Sequence, residues 1–210
     1  SNTYETLYGG ARGGGKTDAG MVWLLRDSEN PKLRGLVIRK NAEDLSDWID
    51  RAREMYPNAV ISGKPAVIRF PSGAIIRTGH LKDDSAYTKY QGHEYHRMVL
   101  EELTQIPTEE SYLKLISSCR STVPGLEARI FATANPGGKG HAWVKQRFID
   151  GKQQNEAFQD KVSGRLRIYI PATVDDNPTL SKNDPQYVNF LNSLPEPLRS
   201  AWRNGDWNVY

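Results

Sequence analysis

Short apolar runs rich in β-branched and aromatic residues alternate along the chain with stretches whose apolar positions recur every three or four residues. That is the rhythm of a mostly parallel sheet flanked by helices. Thr6-Leu7-Tyr8 reads as a first strand running into a glycine-rich turn, after which Ala19, Val22 and Trp23 recur at helical spacing through a segment ending near Asp27. Leu36-Val37-Ile38 reads as a second strand, followed by a helix from Ala42 to Met55 with Leu45, Trp48, Ile49 and Ala52 on one side. Between Val60 and Gly79 the pattern changes. Val67-Ile68-Arg69-Phe70, then Pro71-Ser72-Gly73, then Ala74-Ile75-Ile76 predict an antiparallel hairpin added to the parallel strands. Met98-Val99-Leu100 and Ile130-Phe131-Ala132 are short strands of the buried type, with a helix from Glu109 to Ser118 between them. Beyond Ile170 proline and asparagine become frequent, as in Asn177-Pro178 and Asp184-Pro185, before a short helical stretch from about Tyr187 to Leu194. The expectation is an α/β fold with its core in residues 1–170 and a cover or linker of the same domain in 171–210.

Composition narrows the class. With 38% hydrophobic, 25% charged and 10% aromatic residues the chain is of ordinary globular type. Its longest apolar runs fall far short of the ~20 residues a spanning helix needs, so no membrane role is expected. The single cysteine, Cys119, cannot form an internal disulfide, which fits a reducing compartment. A net charge of +3 is compatible with a polyanionic partner without identifying one.

The first chemical motif is Gly10-Ala11-Arg12-Gly13-Gly14-Gly15-Lys16-Thr17, placed after a strand and opening a helix. Glycines at this spacing let successive N–H groups converge on one anion while the helix N-terminus adds its partial positive charge, as in phosphate-binding loops. Lys16 would then reach the β- and γ-phosphates of a nucleotide, and Thr17 would offer its hydroxyl to Mg²⁺. The fold expected around such a loop is a P-loop NTPase of the RecA-like, additional-strand type.

A phosphate loop alone leaves kinases, GTPases, helicases and translocases open, and the second motif separates them. Met98-Val99-Leu100 ends in Glu101 and Glu102. Two adjacent carboxylates at a strand end can serve the metal with one and the attacking water with the other, which favours hydrolysis of ATP. Glu101 is the candidate metal ligand and Glu102 the candidate general base. Third, Thr133-Ala134-Asn135-Pro136-Gly137-Gly138 closes the strand begun at Ile130, and Thr133 and Asn135 are placed to sense a γ-phosphate. Asn-Pro-Gly-Gly is also a turn by composition alone.

These motifs, in this order, resemble the large terminase subunits of tailed bacteriophages, over nearly the whole chain. The resemblance rests on Arg12 within the loop, on Tyr90-Gln91-Gly92 upstream of the acidic strand, and on Thr133 to Gly138, which is similar to the family's coupling motif. It rests also on Asp176-Asn177-Pro178 followed by Trp202-Arg203-Asn204-Gly205-Asp206-Trp207. One departure is Glu101, where the family usually has Asp; exchange of Glu101 for Asp is expected to preserve activity. The resemblance implies the ATP-hydrolysing motor domain of a DNA-packaging enzyme, with ATP and Mg²⁺ as cofactors and double-stranded DNA as the translocated partner. It also implies a homo-oligomeric ring on a portal protein, a small terminase subunit as partner, and work in the host cytoplasm at the procapsid. Since the family's nuclease activity lies in a further domain, the chain is expected to stop before it.

Arginine stabilises charge on a transferring phosphoryl group and can be worth about 10³ to 10⁵ in rate. Arg12 is the candidate within its own loop. Arg120 resembles the region where terminases present an arginine to a neighbouring subunit. The basic residues Arg34, Arg39, Lys40, Arg51, Arg53 and Lys64 are scattered, so no DNA contact is assigned; His93, His96 and His141 lack metal-ligand spacing. A helicase-like or other nucleic-acid-dependent ATPase, and a non-hydrolysing ATP-dependent assembly module, are the alternative readings.

Overall fold

A computed structural model describes residues 3–11, 15–81, 84–173 and 184–210. Arg12, Gly13, Gly14 and the Asp176-Asn177-Pro178 segment lie outside them. The strands are β1 (Glu5–Gly10), β2 (Arg34–Arg39), β3 (Val60–Ser62), β4 (Val67–Arg69), β5 (Ile75–His80), β6 (Arg97–Leu100), β7 (Arg129–Ala134), β8 (Phe158–Gln159) and β9 (Leu166–Ala172). The helices are α1 (Lys16–Leu25), α2 (Ala42–Met55), α3 (Glu109–Ile116), α4 (His141–Phe148), α5 (Pro185–Ser193) and α6 (Leu198–Trp202). The strand order is β3-β4-β5-β2-β6-β7-β1-β9-β8, a mostly parallel sheet with the expected antiparallel β4–β5 hairpin. No described helix is long and apolar enough to cross a membrane.

The chain divides into two compact units. The first comprises Thr17–Glu101 and Glu109–Phe131. Here β2 runs parallel to both β5 and β6, while β3 and β4 fold back antiparallel at the edge. Helix α1 sits closely on the sheet at Gly20, where a Cβ would touch Val99 and Phe131. Its buried positions are Gly20, Met21 and Leu24, on nearly the opposite side from Ala19, Val22 and Trp23, and Val22 is exposed. An unbroken apolar run from Ala19 to Leu25 leaves periodicity unable to choose a face. Helix α2 behaves as its pattern predicts: Glu43 and Asp44 favour the first turn, and Leu45, Trp48 and Ala52 are buried. Tyr56, just past its end, donates from its hydroxyl to Met21 O at 2.6 Å, tying α2 to α1. On the opposite face Tyr90 stands so close to Gly79 that any side chain there would collide with its hydroxyl.

The second unit comprises Ser1–Lys16, Glu102–Thr108 and Ala132–Tyr210. Its centre is the parallel pair β1–β9, in register from Glu5 opposite Arg167 to Gly10 opposite Ala172, with β8 antiparallel outside β9. Glu5, almost wholly buried, is gripped by Arg147 at 3.0 Å and Arg167 at 2.8 Å. Buried carboxylates persist when paired in this way. Helix α4 and strands β8 and β9 were not individually expected. Lys145, Gln146 and Arg147 interrupt the apolar positions of α4, and Arg167 and Pro171 interrupt those of β9.

Candidate functional site

In the first unit, Glu101 follows the C-terminal end of β6, where its N–H continues the parallel ladder by donating to Ile38 O at 2.9 Å. The side chain is buried, and Thr17 Oγ1 donates to Glu101 Oε2 at 3.2 Å. The strand end and the second residue of α1 are therefore brought together, as expected for Thr17 and Glu101. Sequence reading missed Arg39 in this group. It ends β2 beside β6, its Nη2 is 3.9 Å from Glu101 Oε2, and its Nη1 donates to Asp44 O. The signal exists only once the β2–β6 register is known, because the two residues are far apart along the chain.

Arg120 is elsewhere in the same unit. It follows the bridge between Tyr95 and Cys119 and donates to His93 O and Gly92 O, at 3.3 and 3.4 Å. Tyr95 lies before β6 and Glu101 after it, a separation of roughly 20 Å at ~3.3 Å per strand residue. Arg120 and Glu101 are not brought together.

The second unit holds the start of the phosphate loop. Gly10 has φ 118° and Gly15 φ 74°, backbone conformations natural to glycine. Between them Ala11 is fully buried, and its N–H extends the β1–β9 ladder by donating to Ala172 O at 3.0 Å. Lys16 Nζ donates to Ala11 O at 2.5 Å, folding back over the loop. Gly205 backs onto this loop, and a Cβ there would collide with Gly10 and with Ala11 N. The Trp202–Trp207 segment thus braces the phosphate loop, a role that its Asn-Gly-Asp composition did not reveal. Beside it is a cavity of about 430 Å³ lined by Gly10, Tyr169, Thr173, Asn204, Gly205 and Asp206, among others. That is within the size range of small-molecule sites.

Glu102 is in the same unit and has left-handed backbone, φ 55° and ψ 59°, which is uncommon for a residue with a side chain. Three bonds hold it. Its N–H donates to Thr133 Oγ1 at 3.1 Å, its carbonyl accepts from Gln105 N at 3.0 Å, and its Oε2 accepts from Gln105 Nε2 at 2.5 Å. Thr133 is buried within β7 rather than beyond it. Thr104 Oγ1 donates to Asn135 O at 3.3 Å, so the acidic turn and the Thr133–Asn135 segment form one hydrogen-bonded group. The side-chain Oδ1 of Asn135 is buried and has no hydrogen-bond partner among the described residues.

The turn after Asn135 is held by His141. Gly137 N–H donates to His141 Nδ1 at 2.8 Å, which leaves the proton on Nε2, 3.0 Å from Trp207 O. The ring stacks on Trp207, with centroids 5.2 Å apart. Burial pushes its pKa below the usual histidine value, and the Lys145 charge acts in the same direction.

The donor types suit a magnesium–nucleotide. A hydroxyl and a carboxylate in contact, Thr17 and Glu101, are the hard oxygen ligands that Mg²⁺ takes, and a glycine loop with a lysine suits phosphates.

Comparison with known proteins gives a consistent picture. A family model described as phage terminase large subunit matches residues 1–197. The large terminase of a thermophilic bacteriophage, solved in complex with ADP, superposes with a TM-score of 0.70 at 18% identity, covering 98% of this chain and 48% of its own. The N-terminal domain of the DNA packaging ATPase from bacteriophage phi29 superposes with a TM-score of 0.52 at 14% identity, covering 80% of this chain and 90% of its own. In the bacteriophage phi29 genome packaging motor assembly the values are 0.57 and 15%, with 94% and 62% covered. The chain spans about half the length of the thermophilic-phage terminase. At these identities the likeness establishes the fold. No curated protein sequence matches the chain.

Proposed function

We propose a function from one premise: the chain belongs to the phage terminase large-subunit family. On that premise it is the Mg-dependent ATP-hydrolysing motor domain that drives double-stranded DNA into a procapsid. The observation that carries the reading is the contact between Thr17 Oγ1 and Glu101 Oε2. It joins the helix opened by the phosphate loop to the acidic strand end, and a nucleotide-free glycine turn has no need of it. The ADP bound by the thermophilic-phage relative supports a nucleotide of the ATP class.

The chain's own residues divide the work. The glycine-rich loop that opens α1 presents backbone N–H groups to the phosphates, the Ala11 N–H excepted because it donates to Ala172 O, and Lys16 releases Ala11 O to neutralise the β- and γ-oxygens. Thr17 and Glu101 would hold Mg²⁺, which when bound offsets charge on the phosphates as the γ-phosphoryl group leaves. Glu102 takes a proton from the attacking water, its carboxylate steadied by Gln105 and its backbone by Thr133. Asn135 has a buried amide end uncommitted, and amide rotation lets it offer a donor to the γ-phosphate. Arg12 acts within its own loop and Arg120 on a neighbour, in a homo-oligomeric ring on the portal; the phi29 genome packaging motor assembly supports work as part of an assembly. A small terminase subunit, and a place at the procapsid in the host cytoplasm, complete the proposal.

The test is phosphate release from Mg-ATP over a wide range of protein concentration. Turnover is expected to rise more steeply than linearly and to vanish in Lys16→Ala and Glu102→Gln. Unaltered turnover in either variant would remove these residues from the chemistry.

A further inference from the structure

Arginines far apart in the sequence meet on one face of the sheet edge. The β3–β4–β5–β2 register sets Val60 opposite Arg69, Arg69 opposite Ile75, and Ile75 beside Arg34, with Arg77 two residues further along β5 opposite Val67. Because side chains alternate between faces, Arg34, Arg69 and Arg77 share one face with Val60, Ser62, Val67 and Ile75. On β3, β4 and β5 this face carries no acidic residue. β3 and β4 pair antiparallel at this edge, where one face of a sheet can stay open to water, and here Arg69 and Arg77 are exposed and Val60 is 64% exposed. Among the described residues the Arg69 and Arg77 side chains make no hydrogen bond or ion pair, whereas Arg34 is anchored to Leu33 O at 2.8 Å.

Arg34 and Arg77 also line a cleft of about 170 Å³ with Ile75, His93, Glu94 and Tyr95. The charge of Arg77 acts on the Tyr95 hydroxyl, partly offsetting the rise caused by burial. Glu94, the cleft's acid, is committed to other partners. It accepts from Thr122 N at 2.9 Å and Thr122 Oγ1 at 3.2 Å and sits 3.1 Å from His96 Nε2. Among the described residues no carboxylate pairs with Arg69 or Arg77, and with Glu94 as the acid lining the cleft the three arginines leave the patch net positive.

We propose that this face of β4, β5 and the start of β2 binds phosphodiester groups along the backbone of double-stranded DNA. The inference rests on the DNA-translocating reading above and supplies the contact surface that reading lacks. Neighbouring strands lie about 5 Å apart and alternate residues about 7 Å, so the three guanidinium groups act within one Debye length as a single positive patch. Guanidinium groups without partners suit bidentate phosphate contact. Contacts to phosphate carry no sequence information, so binding through them is independent of sequence, as transport along DNA requires. Arg34 and Ile75 begin their strands, whereas Glu101 follows the end of β6, so the patch is at the opposite edge from the Thr17–Glu101 pair. Arg120 is on the β6 side of the cleft, while Arg69 is on β4, three strands and roughly 14 Å away.

The test measures binding of a labelled duplex of arbitrary sequence by the chain across 50–200 mM salt, beside phosphate release without DNA. Arg69→Ala and Arg77→Ala are each expected to weaken binding equally for different sequences and to lower the salt slope by about 0.9 per lost phosphate contact. The double variant would then show about a tenfold shallower loss of affinity over that range, with basal phosphate release unchanged. Arg77→Lys should retain the slope, and Lys161→Ala, in the other unit, should leave it alone. An unchanged slope in the double variant overturns the proposal. So does a parent chain that hydrolyses ATP but ignores duplex DNA, which leaves the ATPase reading standing. Salt-dependent binding lost in the variants, with no turnover in the parent, upholds the patch and removes the hydrolysis reading. Should the variants instead lose self-association in sedimentation velocity with DNA affinity intact, the face is a contact between copies and the proposal fails.

Discussion

At the scale of single residues, the backbone of Glu102 separates chemistry from stability. Left-handed φ/ψ costs a residue with a side chain roughly 1–2 kcal/mol, and conformations of this kind persist where surrounding contacts enforce them. Here Thr133 Oγ1 and Gln105 do so. Glycine meets no such cost, although it returns roughly 0.5–1 kcal/mol through chain entropy. Glu102→Gly should therefore be as stable as the parent or up to about 1 kcal/mol more so, a rise in Tm of about 2–4 °C for a chain of this size, while losing turnover. Glu102→Gln keeps the backbone and should leave Tm unchanged while turnover falls about 10²- to 10⁴-fold, the usual worth of a general base. Thermal unfolding of the two variants beside their phosphate release checks this. A glycine variant that melts several degrees lower would mean that the carboxylate–Gln105 bond, not backbone strain, dominates at this position.

At the scale of elements, His141 joins the turn after β7 to the C-terminal Trp207, and its protonation state decides whether the joint holds. Nδ1 accepts from Gly137 N–H, so a proton on Nδ1 would set two donors against each other. Burial favours the neutral ring and lowers its pKa below 6.5. Stability from this joint is complete above pH 6.5 and is lost as pH falls below it, because the unfolded chain takes up the proton first. The slope cannot exceed about 1.4 kcal/mol per pH unit. Between pH 6.5 and 5.5 the parent should lose Tm while His141→Gln should not, in matched thermal melts; parallel curves would dismiss the joint as a source of pH dependence. Glu94, Asp160 and Glu196, held low chiefly by hydrogen bonds, add stability that is lost only below their ordinary values of 4.5, 3.8 and 4.5. None of this was legible in the sequence, where His141 is an isolated histidine on an undetected helix. Glycine and carboxylate motifs were legible because their chemistry is local: Gly10 and Gly15 need positive φ wherever the chain goes next, and Glu101-Glu102 ends an apolar run. What escaped depends on long-range register, as with Arg39 beside Glu101, Gly205 against Ala11, and arginines on three strands sharing a face. The buried side of α1 escaped for the opposite reason, since a helix apolar all round carries no periodic signal.

At the scale of the whole molecule, a catalytic part for Arg120 would need a second copy. It projects near Tyr95, at the end of β6 remote from the Thr17–Glu101 pair, and the intervening length of strand exceeds the reach of one arginine side chain. Any role for Arg120 in phosphoryl transfer is therefore played at a neighbour's site, and a ring of head-to-tail contacts supplies that neighbour repeatedly. Loss of an arginine acting on the transition state lowers turnover by about 10³ to 10⁵, so Arg120→Ala should be nearly inactive alone, as should Lys16→Ala. Their defects lie in different parts of the assembled site. In a mixture, the intact Lys16 and Glu102 of one chain can meet the intact Arg120 of the other, and turnover should return at intermediate ratios and vanish towards either pure variant. The dependence on mixing ratio is the measurement that matters, because contamination by parent chain would give activity that merely scales with one component. Absence of rescue at every ratio removes the trans assignment, and parental turnover by Arg120→Ala alone makes Arg120 a surface residue whose bonds to Gly92 and His93 are its whole role.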